Sequence, residues 1–148
     1  ALSSYLGNEG TDQFSEDGVL YLDSRVKMVD IIDGTSNTLL VGERPPSPDL
    51  RFGWWYAANG QNSCGSLDTV LGAQELNFTY SSCPFGPVPY GPGRLNNPCD
   101  TFHFWSLHPG GANFAFADGS VHFLSYGSAD ILEALATRAG GESVTLEQ

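Results

Sequence analysis

Basic residues are scarce in this chain: six Lys and Arg stand against 17 Asp and Glu among 148 residues, a formal net charge of −11. Such a field repels phosphate backbones and anionic lipid, so it argues against nucleic-acid binding and leaves no polybasic membrane patch. It attracts divalent cations, although the simpler reading of the charge is a well-hydrated acidic surface. No apolar run approaches the ~18 residues a membrane span needs, and no signal peptide is visible. Catalytic signatures are missing too. There is no Gly-x-Ser-x-Gly elbow, His-Glu-x-x-His run, Walker loop or dinucleotide fingerprint, and the expectation is a protein without catalysis. Charged residues make up only 16% of the chain, whereas Gly (18) and Pro (9) are plentiful. That balance favours turns, short strands and long ordered loops over helices. The length suits one domain over residues 1–148, with residues 44–100 as a loop-rich insertion.

Three cysteines, Cys64, Cys83 and Cys99, lie in the loop-rich middle. One disulfide plus one remaining thiol is the simplest outcome in an exported protein. Cys83–Cys99 is the preferred pair because it staples a run containing five prolines. Cys64–Cys83 is the competing pair.

The most informative stretch runs from Phe102 to Leu124. Residues alternate on both sides of Asp118-Gly119, which predicts a hairpin with a two-residue turn. That register pairs Phe116 with Val121 and Phe114 with Phe123 on one face, and Ala115 with His122 on the other. Upstream, Val19 to Leu22 reads as a short strand and Arg25 to Ile32 has helical apolar spacing. Thr38 to Val41 and Phe52 to Ala57 read as further strands. Ala129 to Ala139 predicts the C-terminal helix, with Ser128 as N-cap, Ile131, Leu132 and Leu135 buried, and an exit at Gly140-Gly141. These elements make an α+β fold, mainly antiparallel sheet with long ordered loops.

His108-Pro109-Gly110-Gly111 precedes the hairpin without a local reason. Pro109 fixes φ and the two glycines permit a tight turn. The favoured role for His108 is structural, donating to a backbone carbonyl or to Asp118. A hydrolase would instead need a cleft joining His108 or His103 to Ser106. Asp33, Asn37 and Asp118, with Thr35, Ser36 and Asn113, supply oxygens of the kind calcium takes about six to eight of, so calcium is the candidate cofactor. The same residue types serve as ordinary turn and cap residues. Cys99, His103 and His108 have near-ligand spacing for zinc, which an oxidised Cys99 would forestall. Trp54, Trp55 and Tyr56 could present a sugar-stacking face, or pack as core. Asn77-Phe78-Thr79 matches a glycosylation acceptor.

His108, nine intervening residues and Asp118-Gly119 resemble the signature of a large bacterial family of prepilin-type proteins named for that spacing. Asp30 to Thr38 followed by Gly42-Glu43 resembles its upstream block, Phe104-Trp105-Ser106 its lead-in to the histidine, and Ala139 to Glu142 its ending. The resemblance implies an exported, pilin-like globular domain, held by His108, Gly110, Gly111, Asp118, Gly119, Asp33 and Gly34. It implies partners among other pilin-like subunits or secretion and pilus machinery, and a periplasmic or cell-surface location. Family members carry a leader and a hydrophobic helix. Membrane attachment is therefore expected only through a helix absent from this chain.

Overall fold

The computed structural model describes residues 2–54, 69–142 and 144. Among the described residues five strands form one sheet: β1 (Tyr5–Gly10), β2 (Leu39–Glu43), β3 (Val70–Gly72), β4 (Gly111–Phe116) and β5 (Val121–Ser125). Their spatial order is β3-β1-β2-β4-β5, and the helix α1 (Ala129–Ala136) follows β5. The α+β class is as expected, but the sheet is mixed. β1 and β3 run parallel, while every other neighbouring pair is antiparallel. The 59 residues between the parallel strands β1 and β3, 11–69, include β2 and far exceed the dozen or so that a parallel connection requires.

One face of the sheet carries the core. Leu6, Leu39, Ala112, Phe114, Phe116 and Leu124 pack with Tyr90 and Phe104 and with Leu132, Leu135 and Ala136 of α1. Gly42 is required inside β2, because a Cβ there would strike the rings of Phe104 and Phe114. Those rings meet edge to face at 5.5 Å, a favourable aromatic geometry. Asn8 is fully buried, and its amide donates to the Ala136 carbonyl at 2.7 Å. It thereby satisfies one of the carbonyls that a helix end leaves without an intrahelical partner. In the loop-rich region Phe52, Tyr80 and Phe102 form a second cluster of edge-to-face rings.

Several expected elements differ. The hairpin register is shifted by one residue: Phe114 faces His122 and Ala115 faces Val121. The Phe116 carbonyl accepts from Gly119 N–H and the Phe116 N–H donates to Ser120, closing a three-residue loop at Ala117–Gly119. Of these loop residues only Gly119 has positive φ, at +87°, so this is a type I turn followed by a left-handed glycine. A one-residue slip exchanges the faces of a strand. Val121 and Phe123 consequently point outward, 64% and 51% exposed, while Leu124 turns into the core. His122 sits edge-on to Phe116 at 5.1 Å instead of projecting from the other face.

The helix ends at Ala136 rather than Ala139, and Ser128 makes no side-chain cap. Arg25 to Ile32 forms only a 3₁₀ turn at Met28–Asp30, with Met28, Val29 and Ile32 exposed. Two turns of apolar spacing are too short to sustain a helix without a packing partner. Val19 to Leu22 is not a strand. Of the expected strand from Phe52 to Ala57, Phe52 and Gly53 are not in a strand, Trp54 makes an isolated bridge to Leu2, and residues 55–57 lie outside the described residues. No helix among the described residues is long and apolar enough to cross a membrane.

Candidate functional site

The last residue of β2, Glu43, is buried and stands where β2 parts from β4. Its own carbonyl accepts from Trp105 N–H at 2.9 Å, so the ladder has already turned away from Asn113. The side chain takes over. Glu43 Oε2 accepts from the Asn113 N–H at 2.6 Å and from the Asn113 amide at 3.2 Å. Tyr5 of β1 donates its hydroxyl to Glu43 Oε1 at 3.3 Å, and this carboxylate pushes the Tyr5 pKa upward. His108 Nε2 lies 3.5 Å from the same Oε1. One carboxylate therefore joins β1, β2, β4 and the loop ahead of the hairpin, through charge-assisted bonds.

His108 has Glu43 as its partner, not the expected Asp118 or a backbone carbonyl. Its ring is 55% exposed, so the contact is a surface one. The turn behind it is built from main chain. His108 N–H donates to Ser106 Oγ, and that hydroxyl donates to the Gly111 carbonyl at 2.7 Å. Gly110 has φ +86°, and a Cβ on Gly111 would collide with the Leu124 carbonyl. Ser106 is thus held in the turn and is not presented to either histidine. His103 is buried on the Phe104 carbonyl and Asp100. Burial raises the Asp100 pKa, but bonds from His103 and from Arg94 N–H outweigh it and lower the carboxyl overall.

The other signature residues are occupied similarly. Asp118 accepts from the Ser120 N–H and hydroxyl, which hold its carboxyl below the ordinary range. Asp33 receives Gly140 N–H at 2.7 Å on one oxygen and Gly141 N–H at 2.9 Å on the other. Gly34, at φ +95°, turns the chain into the next 3₁₀ turn, Thr35–Asn37. Asn37 donates its amide to the Asp33 carbonyl. The candidate calcium residues Asp33, Asn37 and Asp118 therefore each bond to the protein itself. Among the described residues no group of three or more His, Cys, Asp or Glu is placed to hold a metal ion.

Cys83 and Cys99 form the expected disulfide, with Cα atoms 5.4 Å apart. This oxidised Cys99 rules out the zinc arrangement with His103 and His108. The competing partner Cys64 lies outside the described residues, as do Trp55 and Tyr56. Trp54 donates its indole N–H to the Leu50 carbonyl at 2.6 Å. The Asn77 amide donates to the carbonyls of Tyr80, Cys83 and Pro84, so it is fixed inside a turn rather than offered for modification.

Three features had no local sequence signal. Tyr90, in the disulfide-closed loop, accepts from Ala112 N–H at 2.8 Å and donates to the Leu124 carbonyl at 2.6 Å. Its burial raises the hydroxyl pKa strongly. Glu9 and Glu75, 66 positions apart, are both buried and hydrogen-bonded to each other. Burial first and the neighbouring Glu75 second push the Glu9 pKa up to about 9. Glu43 stood in the resembling Gly42-Glu43 block, but nothing local to it pointed to its partners Tyr5, His108 and Asn113.

A family described as a protein of unknown function, DUF1559, has a model that matches residues 2–130. No curated protein and no solved structure is matched.

Proposed function

We propose that this chain, which belongs to the DUF1559 family, is a non-catalytic, exported subunit or surface domain of a pilin-like or pseudopilin-like assembly. One observation carries the reading. The blocks that resemble the prepilin-type family bond to one another: Glu43 to His108 and Asn113, and Asp33 to Gly140 and Gly141. Groups consumed in joining segments far apart in sequence are suited to architecture. The Cys83–Cys99 disulfide favours an oxidising compartment, and the net charge of −11 favours a hydrated outer surface over nucleic acid. Partners in this reading are other pilin-like subunits or the secretion machinery.

The experiment is fractionation of cells that carry an epitope-tagged chromosomal copy. The tagged product is expected in the sheared or outer-surface fraction with Cys83–Cys99 oxidised. A soluble cytoplasmic product with reduced cysteines would overturn the reading.

A second reading, an extracellular glycan- or solute-binding module, draws on one observation. Phe14, Phe78 and Phe85 are more than half exposed and form an edge-to-face row with centroids 5.9 and 5.2 Å apart. Saturable calorimetric titration with an oligosaccharide, lost on Phe78→Ala, would favour it.

A further inference from the structure

Among the described residues β5 is an edge strand, paired with β4 on one side only. The Phe116–Ser120 bond and the register of β4 with β5 place the main-chain groups of His122 and Leu124 toward β4. Those of Val121, Phe123 and Ser125 must point the other way, because ladder groups alternate. β5 is the last strand of the sheet, and among the described residues nothing bonds the outward N–H groups of Val121 and Phe123. Natural edges are ordinarily protected by lysine, proline, a bulge or an inward charge. Val-His-Phe-Leu-Ser has no acidic residue, Lys, Arg or Pro, its register is unbroken, and its two large outward residues are apolar and exposed.

We propose that β5 pairs antiparallel with β5 of a second copy of this chain about a two-fold axis at Phe123. Two chains of charge −11 repel, so a contact between copies has to avoid carboxylates, and β5 offers five consecutive positions without one. The sequence is self-complementary in that register. Phe123 faces Phe123 of the second copy, and Val121 faces Ser125, so the outward side carries an aromatic pair flanked by valines. The result is a two-fold dimer with one sheet running through both copies. A single five-residue edge buries less than the ~1,200 Å² of a stable interface, so the association is weak. It strengthens where copies are concentrated on a surface. The pairing does not depend on export, and it is tested on purified protein.

Sedimentation equilibrium of the purified chain is expected to show a reversible dimer with Kd of roughly 10 µM–1 mM. Phe123→Pro removes one outward N–H and leaves the β4 ladder intact, and it should weaken the dimer at least about tenfold. Phe123→Lys, which needs no backbone change, should do the same. In the wild type the Val121, Phe123 and Ser125 amides should exchange more slowly as concentration rises, while those of His122 and Leu124 hold steady. A monomer across the whole range would overturn the pairing. So would a dimer that survives Phe123→Lys, or protection that appears elsewhere.

Discussion

The Tyr90 hydroxyl sits between the paired residues Ala112 and Leu124, taking the N–H of one and donating to the carbonyl of the other. A loop residue thereby becomes part of the β4–β5 ladder. Both contacts are buried, so losing the oxygen leaves a donor and an acceptor to find each other. Tyr90→Phe is expected to cost about 1–3 kcal/mol, read as a lower urea midpoint with an unchanged slope.

The same loop is closed by Cys83–Cys99, with a sequence separation of 16. A loop of that length contributes about 3 kcal/mol in the chain-entropy account. Reductant, or Cys83→Ser with Cys99→Ser, should lower Tm by roughly 5–12 °C. Tyr90 and the disulfide restrain one segment, so the triple variant should lose less than the two effects added.

Glu9 supplies the pH dependence. Its folded pKa is raised above 4.5 to about 9, by burial and then by Glu75. The folded protein therefore holds more protons than the unfolded chain between those values. This group's contribution is fully present below about pH 4.5, falls as pH rises through the window, and is gone above about pH 9. Glu9→Gln keeps a donor for Glu75 and does not ionise. It should flatten the Tm profile between those limits and raise Tm at pH 8 by roughly 3–6 °C.

The hairpin shows both how much the sequence disclosed and where it stopped. Asp118-Gly119 marks the reversal correctly, and alternation identifies both strands. The loop length depends on whether Asp118 adopts positive φ. It does not, because its carboxylate caps Ser120 and stabilises the type I turn. That one residue decides which of Phe123 and Leu124 enters the core. The Cys83–Cys99 pairing was legible because proline-rich loops of that length suit a staple. Glu43 was not, since its partners Tyr5 and Asn113 lie 38 and 70 positions away. The exit of α1 was misjudged for a similar reason. Thr137 is extended, and Arg138 donates its N–H to the Asp17 carbonyl and accepts from Ile32 N–H, contacts across more than a hundred residues that draw the chain out of the helix after Ala136.

His108 and Glu43 should separate sharply on substitution. The histidine is half exposed at 3.5 Å from its partner, and exposed pairs contribute about 0–1 kcal/mol. His108→Ala is expected to move Tm by no more than roughly 3 °C. Glu43→Ala strands the part-buried Asn113 N–H, which costs about 1–3 kcal/mol. A thermal melt of both variants checks the order.

Amide exchange at Asn113 measures the Glu43 contact itself. In Glu43→Ala that amide should lose at least about tenfold of its protection while Phe114 and Phe116 keep theirs, and His108→Ala should leave Asn113 unchanged. Equal protection of Asn113 with and without the Glu43 carboxylate would contradict the account. Loss of that protection on removing the imidazole alone would do so as well.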